Sequence, residues 1–208
     1  MNDRLDNYDV RIPYYKLRLY RENFLNLPDM VLPDGYHFEF YHPGDKEAWI
    51  EIETSSKECG TYEDACKVWD TYFLPWEHEL SQRMLFVVNE SGMKVGTASA
   101  YFDIHGLDPK NSGRLHWVAI HRDYQGKGLS RALLSEVMKV MRTLNVSCAF
   151  CNTSSRNWVA CKLYLDLGFV PYQLQESVTG WRIIKTLTNH PALEHLQVLN
   201  ITELLKEK

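Results

Sequence analysis

The segment that most constrains the fold runs from Leu115 to Arg142, with the sequence LHWVAIHRDYQGKGLSRALLSEVMKVMR. Its first six residues, 115–120, are apolar and typical of a buried strand. Residues 125–130, QGKGLS, form a turn with two glycines, and apolar residues recur near helical spacing over 131–142. The segment therefore predicts a strand, a glycine turn and an amphipathic helix, in that order.

This order predicts an anion site at the start of the helix. The first amides of a helix have no partners inside the helix, and the helix dipole adds partial positive charge there. Gly126 and Gly128 have no Cβ, so the backbone can curl close to a ligand. A phosphate group fits such a site.

Two common phosphate motifs do not match this turn. The Walker A loop needs Ser or Thr after its Lys, but Gly128 follows Lys127; the GxGxxG fingerprint needs a third glycine, where Arg131 stands. The pattern that fits is Q-x-x-G-x-small, with Gln125, Gly128 and Ser130. The alternative is a glycine turn that binds nothing.

A second segment, NTSSRNWVACKLYLDLGFVPY at 152–172, narrows the choice. It predicts a helix over Asn157–Leu167 with Ser155 as N-cap and Gly168 at the C-terminal end, then a strand that opens at Phe169. The two segments together resemble the GNAT acetyltransferase superfamily, with its acetyl-CoA pyrophosphate loop and its LY-x-x-x-GF helix end. Ser130 stands where that family usually has Gly or Ala.

The resemblance implies an α/β GNAT fold: a mixed, mostly antiparallel central sheet of about seven strands with helices on both faces. It implies an N-acetyltransferase that moves an acetyl group from the cosubstrate acetyl-CoA directly to a primary amine. It places acetyl-CoA on the main chain of Val118 and Ile120, on Gln125, Gly126, Lys127, Gly128, Leu129, Ser130 and Arg131, and on Asn152 and Asn157.

Tyr164, in the LY-x-x-x-GF motif, is by resemblance the general acid, whose hydroxyl would reach the CoA sulfur. LHWVAIH is similar to a strand of arylalkylamine N-acetyltransferases, which makes His116 the candidate general base; histidine titrates in the right range. A packing tyrosine and a structural histidine are the alternatives. Lesser candidates for the base are Glu51, Asp70, Asp103 and His121.

Length and charge limit the remaining possibilities. A chain of 208 residues suits one domain, with 1–34 as an extension carrying an edge strand and 188–208 as a helical tail. A net charge of −4 gives no reason to expect nucleic acid or an anionic membrane as partner. We expect no signal peptide and no membrane span.

The cysteines indicate a compartment and exclude a metal site. Five cysteines without framework spacing favour a reducing cytoplasm. Cys148 and Cys151 spell CxxC, but no second pair of ligands lies nearby, so we expect buried thiols and no metal. A homodimer paired through a sheet edge near the last strand is a further expectation.

The rest of the chain alternates between strand and helix patterns. Strands are predicted at 12–20, 36–41, 84–89, 94–104 and 181–187, with a hairpin at Ser91-Gly92; helices at 45–53, 62–83 (split at Pro75) and 191–205.

Two other functions stay open at this stage. The chain could be a non-catalytic acyl-CoA-binding module, which needs the glycine turn but neither Tyr164 nor His116. It could also be an unrelated α/β nucleotide binder. Aromatic residues of the first half, such as Trp49 and Trp69, could line an amine pocket or form the core under two helices.

Overall fold

A computed structural model of the chain describes residues 5–57, 59–102 and 111–200. The chain divides into two compact units, Phe24–Ser147 on the one hand and Met1–Asn23 with Cys148–Lys208 on the other. The strands are β1 (Lys16–Arg21), β2 (Tyr36–Phe40), β3 (Met84–Asn89), β4 (Lys94–Phe102), β5 (Ser112–Ile120), β6 (Cys148–Ser154) and β7 (Val170–Pro171). The helices are α1 (Lys46–Ser56), α2 (Tyr62–Tyr72), α3 (Glu77–Arg83), α4 (Leu129–Thr143), α5 (Trp158–Asp166) and α6 (Val178–Thr188).

In the unit 24–147, β2, β3, β4 and β5 lie side by side in that order, and neighbours are antiparallel. The predicted β3–β4 hairpin is confirmed. Its turn is closed by Asn89 Oδ1, which accepts hydrogen bonds from the amides of Ser91 and Met93 at 3.0 and 2.9 Å. Gly92 has a φ of +79°, a conformation that glycine adopts at little cost.

The predicted break at Pro75 is also confirmed. A 3₁₀ turn, Leu74–Trp76, separates α2 from α3, since proline has no N–H for an α-helical hydrogen bond. The start of α2 is capped by Thr61, whose Oγ1 accepts a hydrogen bond from the amide of Asp64 at 3.1 Å. The long helical pattern at 62–83 is therefore two helices and a turn.

One core of this unit lies between the sheet and the α1–α2 pair. Met84, Phe86 and Val88 alternate along β3 and share a buried cluster with Trp49 of α1 and Trp69 of α2. The intervening residues of β3 are buried too, and strand side chains alternate between faces, so the second face is covered as well. The helix α4 contacts these strands and supplies that cover.

In the other unit, β1 lies between β6 and β7 and is antiparallel to both. The prediction of an edge strand at the N-terminus is therefore wrong, because backbone partners are present on both sides of β1. The predicted N-cap Ser155 is also wrong. Its Oγ accepts a hydrogen bond from the amide of Tyr15 at 2.8 Å and donates one to the carbonyl of Pro13 at 2.5 Å, and Asn157 takes the N-cap position.

The predicted strand 181–187 is wrong: these residues lie in α6. The buried positions Trp181 and Ile184 are three residues apart, which is a helical and not a strand spacing. The hydroxyls of Thr186 and Thr188 donate hydrogen bonds to carbonyls four residues earlier, at 2.8 and 2.7 Å. Gly180 brings α6 against the segment that leads into β1, since a Cβ there would lie 2.7 Å from Cβ of Tyr15.

The predicted terminal helix is not formed over the part that the structure describes. Pro191–Leu193 is a 3₁₀ turn, and 197–200 carries no regular secondary structure. Residues 201–205 of that prediction, and 103–104 of the predicted β4, lie outside the described residues. The C-terminal strand near which we expected a dimer edge is thus a helix, and the homodimer stays a prediction without it.

The fold class itself is confirmed. Seven strands are present in the described residues, the strand pairs within each unit are antiparallel, and helices pack against the sheet. No helix within the described ranges is long and apolar enough to cross a membrane.

Candidate active site

A β-bulge interrupts β5 at the candidate site. Ser99 of β4 pairs with His116 and Thr97 pairs with Ala119, so Trp117 and Val118 together face the single residue between them on β4. Trp117 has a φ of +47°, which is uncommon for a residue with a side chain. Bulges of this kind re-aim side chains, and here His116 and Trp117, adjacent in sequence, both reach the α1–α2 side of the sheet.

His116 lies in an aromatic surround. Its ring centroid is 4.6 Å from that of Tyr101, 5.2 Å from that of Tyr72 and 5.8 Å from that of Trp117. Burial, with a smaller contribution from the positive charge of Arg114, lowers the pKa of His116 from 6.5 to about 3. The imidazole is therefore neutral at pH 7.

The glycine turn is built as the sequence predicts. Gly128 directly precedes α4 with a φ of +82°, and Gly126 has a φ of +78°. A Cβ at either glycine would meet no atom within 4 Å, so the space above the turn is open. The first amides of α4 follow, which is the arrangement that suits an anion at a helix N-terminus.

Two side-chain contacts hold this turn. Gln125 Nε2 donates a hydrogen bond to the carbonyl of Ile120 at 3.1 Å, which ties the turn to the end of β5. Lys127 Nζ lies 4.5 Å from the ring centroid of Tyr124, a cation–π distance. Both contacts fix the path of the chain between β5 and α4.

The structure brings a large part of the predicted site together in one unit. His116, Val118 and Ile120 lie on β5, Gln125, Gly126, Lys127 and Gly128 form the turn, and Leu129, Ser130 and Arg131 begin α4. The more distant Lys139 of α4 pairs with Asp29 at 2.8 Å, which fits a solvated helix face.

Asn152, Asn157 and Tyr164 belong to the other unit. Asn152 is exposed on β6, and Asn157 occupies the N-cap of α5 without a capping hydrogen bond from its side chain. Tyr164 is buried on α5, with its ring centroid 6.0 Å from that of Phe169. Gly168 ends this helix with a φ of +81°, as predicted.

The lesser candidates for the base are placed less favourably. Glu51 is exposed on α1, and exposed Asp70 forms an ion pair with Lys46 at 3.1 Å. His121 Nδ1 accepts a hydrogen bond from the amide of Asp123 at 3.3 Å. Asp103 lies outside the described residues.

Sequence reasoning missed Glu53, the fully buried carboxylate of α1. It lies one helical turn after Trp49, on the face that packs on the sheet. Spacing of four residues from a tryptophan was the available signal, but in the run Glu-Ile-Glu the residue was grouped with a solvated helix face.

The CxxC cysteines are buried, as expected, together with Cys161 of α5. Burial raises the pKa of the Cys151 and Cys161 thiols, so neither is an activated nucleophile. Across the residues described, no three His, Cys, Asp or Glu side chains are grouped so that they could hold a metal ion.

A family model described as "Acetyltransferase (GNAT) family" matches residues 46–169, more than half of the chain, and includes β5, the turn and α4. The chain belongs to the GNAT acetyltransferase family. Its members' class, the acyltransferases, is the class of enzyme that the sequence predicted.

Relatives agree with this membership. A mycothiol acetyltransferase of Acidothermus cellulolyticus is 29% identical over 166 residues, which cover 74% of this chain and 50% of the relative. The L-amino acid N-acyltransferase MnaT of Escherichia coli is 34% identical over 86 residues, 41% of this chain and 49% of the relative. The chain thus spans about half the length of these relatives.

Among solved structures, a GCN5-related N-acetyltransferase from Sphaerobacter thermophilus superposes with a TM-score of 0.60 at 21% identity. The superposition covers 77% of this chain and 49% of that one. At this identity the likeness shows the fold alone, and it agrees with the GNAT fold expected from the sequence.

Proposed function

We propose that this protein is an N-acetyltransferase that transfers the acetyl group of acetyl-CoA directly to the primary amine of an acceptor. The observation that carries the proposal is the glycine turn before α4, with two left-handed glycines under open space, in a chain of the GNAT family. The turn and the first amides of α4 would bind the pyrophosphate of the cofactor.

In this reaction the amine nitrogen attacks the thioester carbonyl, a C–N bond forms and the C–S bond breaks. The nitrogen loses a proton and the CoA thiolate gains one. Tyr164 is the proposed donor to the thiolate. His116, neutral at pH 7, is the proposed acceptor of a hydrogen bond from the amine, and its low pKa makes it a weak base before substrate binds.

The rest of the proposal concerns cofactor, acceptor and location. Val118 and Ile120 would contact acetyl-CoA through their main chain, Gln125–Arg131 through the turn, and Asn152 and Asn157 through their side chains. The acceptor would be a small-molecule or peptide amine; the relatives are named for mycothiol and L-amino acids. All five cysteines are free thiols, which supports a cytoplasmic location.

The proposal is tested first by thermal melting with and without acetyl-CoA. A ligand at 100 times its Kd stabilises the folded state by about 2.7 kcal/mol, which should raise Tm by roughly 5–10 °C for a protein of this size. The Gly128→Glu variant should lose this rise, because its carboxylate enters the open space where the phosphates would bind.

Gly92→Glu is the matched control. Gly92 has nearly the same φ as Gly128 and equally open space, but lies in the β3–β4 hairpin. Both variants carry similar backbone strain, so a loss of the acetyl-CoA effect in Gly128→Glu alone locates the cofactor on the turn. No rise in wild-type Tm at saturating acetyl-CoA would reject the proposed function.

Catalysis is then separated from binding alone by release of free CoA thiol with a panel of amines. Tyr164→Phe should lower the release rate while the Tm rise with acetyl-CoA remains. Binding without turnover of any amine, and without an effect of Tyr164→Phe, would favour the non-catalytic acyl-CoA-binding module.

A further inference from the structure

Five buried polar atoms without a hydrogen-bond partner lie in α1, β4 and β5. They are Trp49 Nε1, Thr97 Oγ1, Ser99 Oγ, His116 Nε2 and Trp117 Nε1, and none finds a partner among the described residues. Folded proteins pair nearly all buried polar groups with protein, water or ligand. A concentration of unpaired groups therefore points to something that binds there.

The five atoms belong to one face of one unit, which we call the bulge face. Ser99 is directly opposite His116 in the β4–β5 ladder, and Thr97 lies two residues further on the same side of β4. The Trp117 ring centroid is 5.8 Å from that of His116 and 5.8 Å from that of Trp49. Thr97 and Ser99 are fully buried.

The donor and acceptor types on the bulge face restrict what can bind. An indole N–H only donates, so Trp49 and Trp117 each require an acceptor atom from the ligand. A protonated amine has no lone pair, and a neutral amine has one, so an amine nitrogen alone cannot accept from both indoles. Hydroxyl, carbonyl or carboxylate oxygens can.

The surrounding rings fit the carbon frame of such a ligand. Tyr72 and Trp117 are only partly buried, and their ring centroids are 6.4 Å apart. Aromatic faces of this kind pack on apolar or CH-rich surfaces. The bulge face thus combines aromatic walls with hydrogen-bonding groups at its base.

We propose that the acceptor is an amine that also carries oxygen groups, such as an amino alcohol, an amino sugar or an amino acid, and that Trp117 and Ser99 select it by hydrogen bonds to those oxygens. This proposal rests on the proposed N-acetyltransferase function. Trp117 and Ser99 would then determine specificity, beside the cofactor contacts and the proposed proton transfers.

The test compares amines that differ by oxygen alone. One pair is 2-phenylethylamine and 2-amino-1-phenylethanol, and a second is cyclohexylamine and glucosamine. We expect kcat/KM, measured by CoA thiol release, to be at least about tenfold higher for the oxygen-bearing member of a pair, since one hydrogen bond to a buried partner is worth about that factor.

Trp117→Phe keeps an aromatic ring and removes the N–H, and Ser99→Ala removes the hydroxyl. Either variant should bring the ratio of kcat/KM within a pair close to one. Trp181→Phe is the matched control: Trp181 is also fully buried with an unpaired Nε1, but lies on α6 of the other unit, so the ratio should stay as in the wild type.

The outcomes separate the two proposals. A wild-type protein that shows no Tm rise with acetyl-CoA rejects the proposed function. A protein that binds acetyl-CoA but uses both members of each pair equally well, or no oxygen-bearing amine, or keeps its ratio in both Trp117→Phe and Ser99→Ala, overturns the acceptor proposal alone. A crystal structure with an amine acceptor bound in which ordered waters alone pair the five atoms would overturn it too.

Discussion

Lowering the pH from 7 to 5 should destabilise the protein through His116. Burial holds the pKa of this side chain at about 3 in the folded protein, against 6.5 in the unfolded chain. Between these two values the unfolded state binds a proton that the folded state does not bind. The free energy of unfolding therefore falls as the pH decreases from about 6.5 towards 3.

The size of the effect follows from the same two values. At pH 5 the unfolded chain is 1.5 pH units below the pKa of 6.5, while the folded chain is still 2 units above its own pKa. With 1.36 kcal/mol per unit, the loss relative to high pH is about 2 kcal/mol. Groups that face the ring are Tyr72, Tyr101 and Arg114, and Glu53 lies on the α1 face packed against the sheet.

Urea unfolding at pH 7 and pH 5 measures this loss. His116→Phe should remove about 2 kcal/mol of the pH dependence, because phenylalanine fits an aromatic surround and does not titrate. His78→Phe is the control, since the His78 side chain is 72% exposed and keeps its water. The His116 ring resonances in NMR should also not titrate between pH 5 and pH 8.

Acidic groups do not obscure this window. Asp9, for example, has its pKa lowered to about 2, chiefly by a hydrogen bond from the Arg11 side chain, so its stabilising contribution is lost only below about pH 4. If wild type and His116→Phe lose the same free energy between pH 7 and pH 5, or if His116 titrates near pH 6.5, the argument from burial is wrong.

Two further predictions concern stability measured by urea unfolding at pH 7. Ser155→Ala should cost about 1–3 kcal/mol, because the amide of Tyr15 and the carbonyl of Pro13 lose a buried partner; a loss below 0.5 kcal/mol, on the order of a surface contact, would contradict this. Thr61→Ala should cost about 1 kcal/mol through loss of the N-cap bond to the amide of Asp64, while Thr61→Ser should restore most of it; equal stability of all three proteins would show that the cap contributes nothing.

Local features were predictable because they depend on residues near in sequence. The glycine turn at Gly126 and Gly128, the hairpin at Gly92 and the break at Pro75 each follow from the conformations that one residue allows or forbids. The helix end at Gly168 is of the same kind. For the same reason the order strand, turn, helix, with its implication of a phosphate site, could be read directly from residues 115–142.

Features that depend on distant residues were predicted wrongly or not at all. Trp181, Ile183 and Leu187 are placed in a pattern compatible with strand or helix, and packing of Gly180 against Tyr15 accompanies the helix that the structure has. Ser155 looks like an N-cap from its neighbours, but bonds to a segment 140 residues away.

The sequence by itself determined where a phosphate could bind and which residues could do chemistry. Only the tertiary structure decided their environment. A bulge in β5, visible only in its pairing with β4, turns His116 and Trp117 to one face, next to Ser99. Burial there, which no local pattern encodes, is what keeps His116 neutral and leaves the indole of Trp117 in need of a partner.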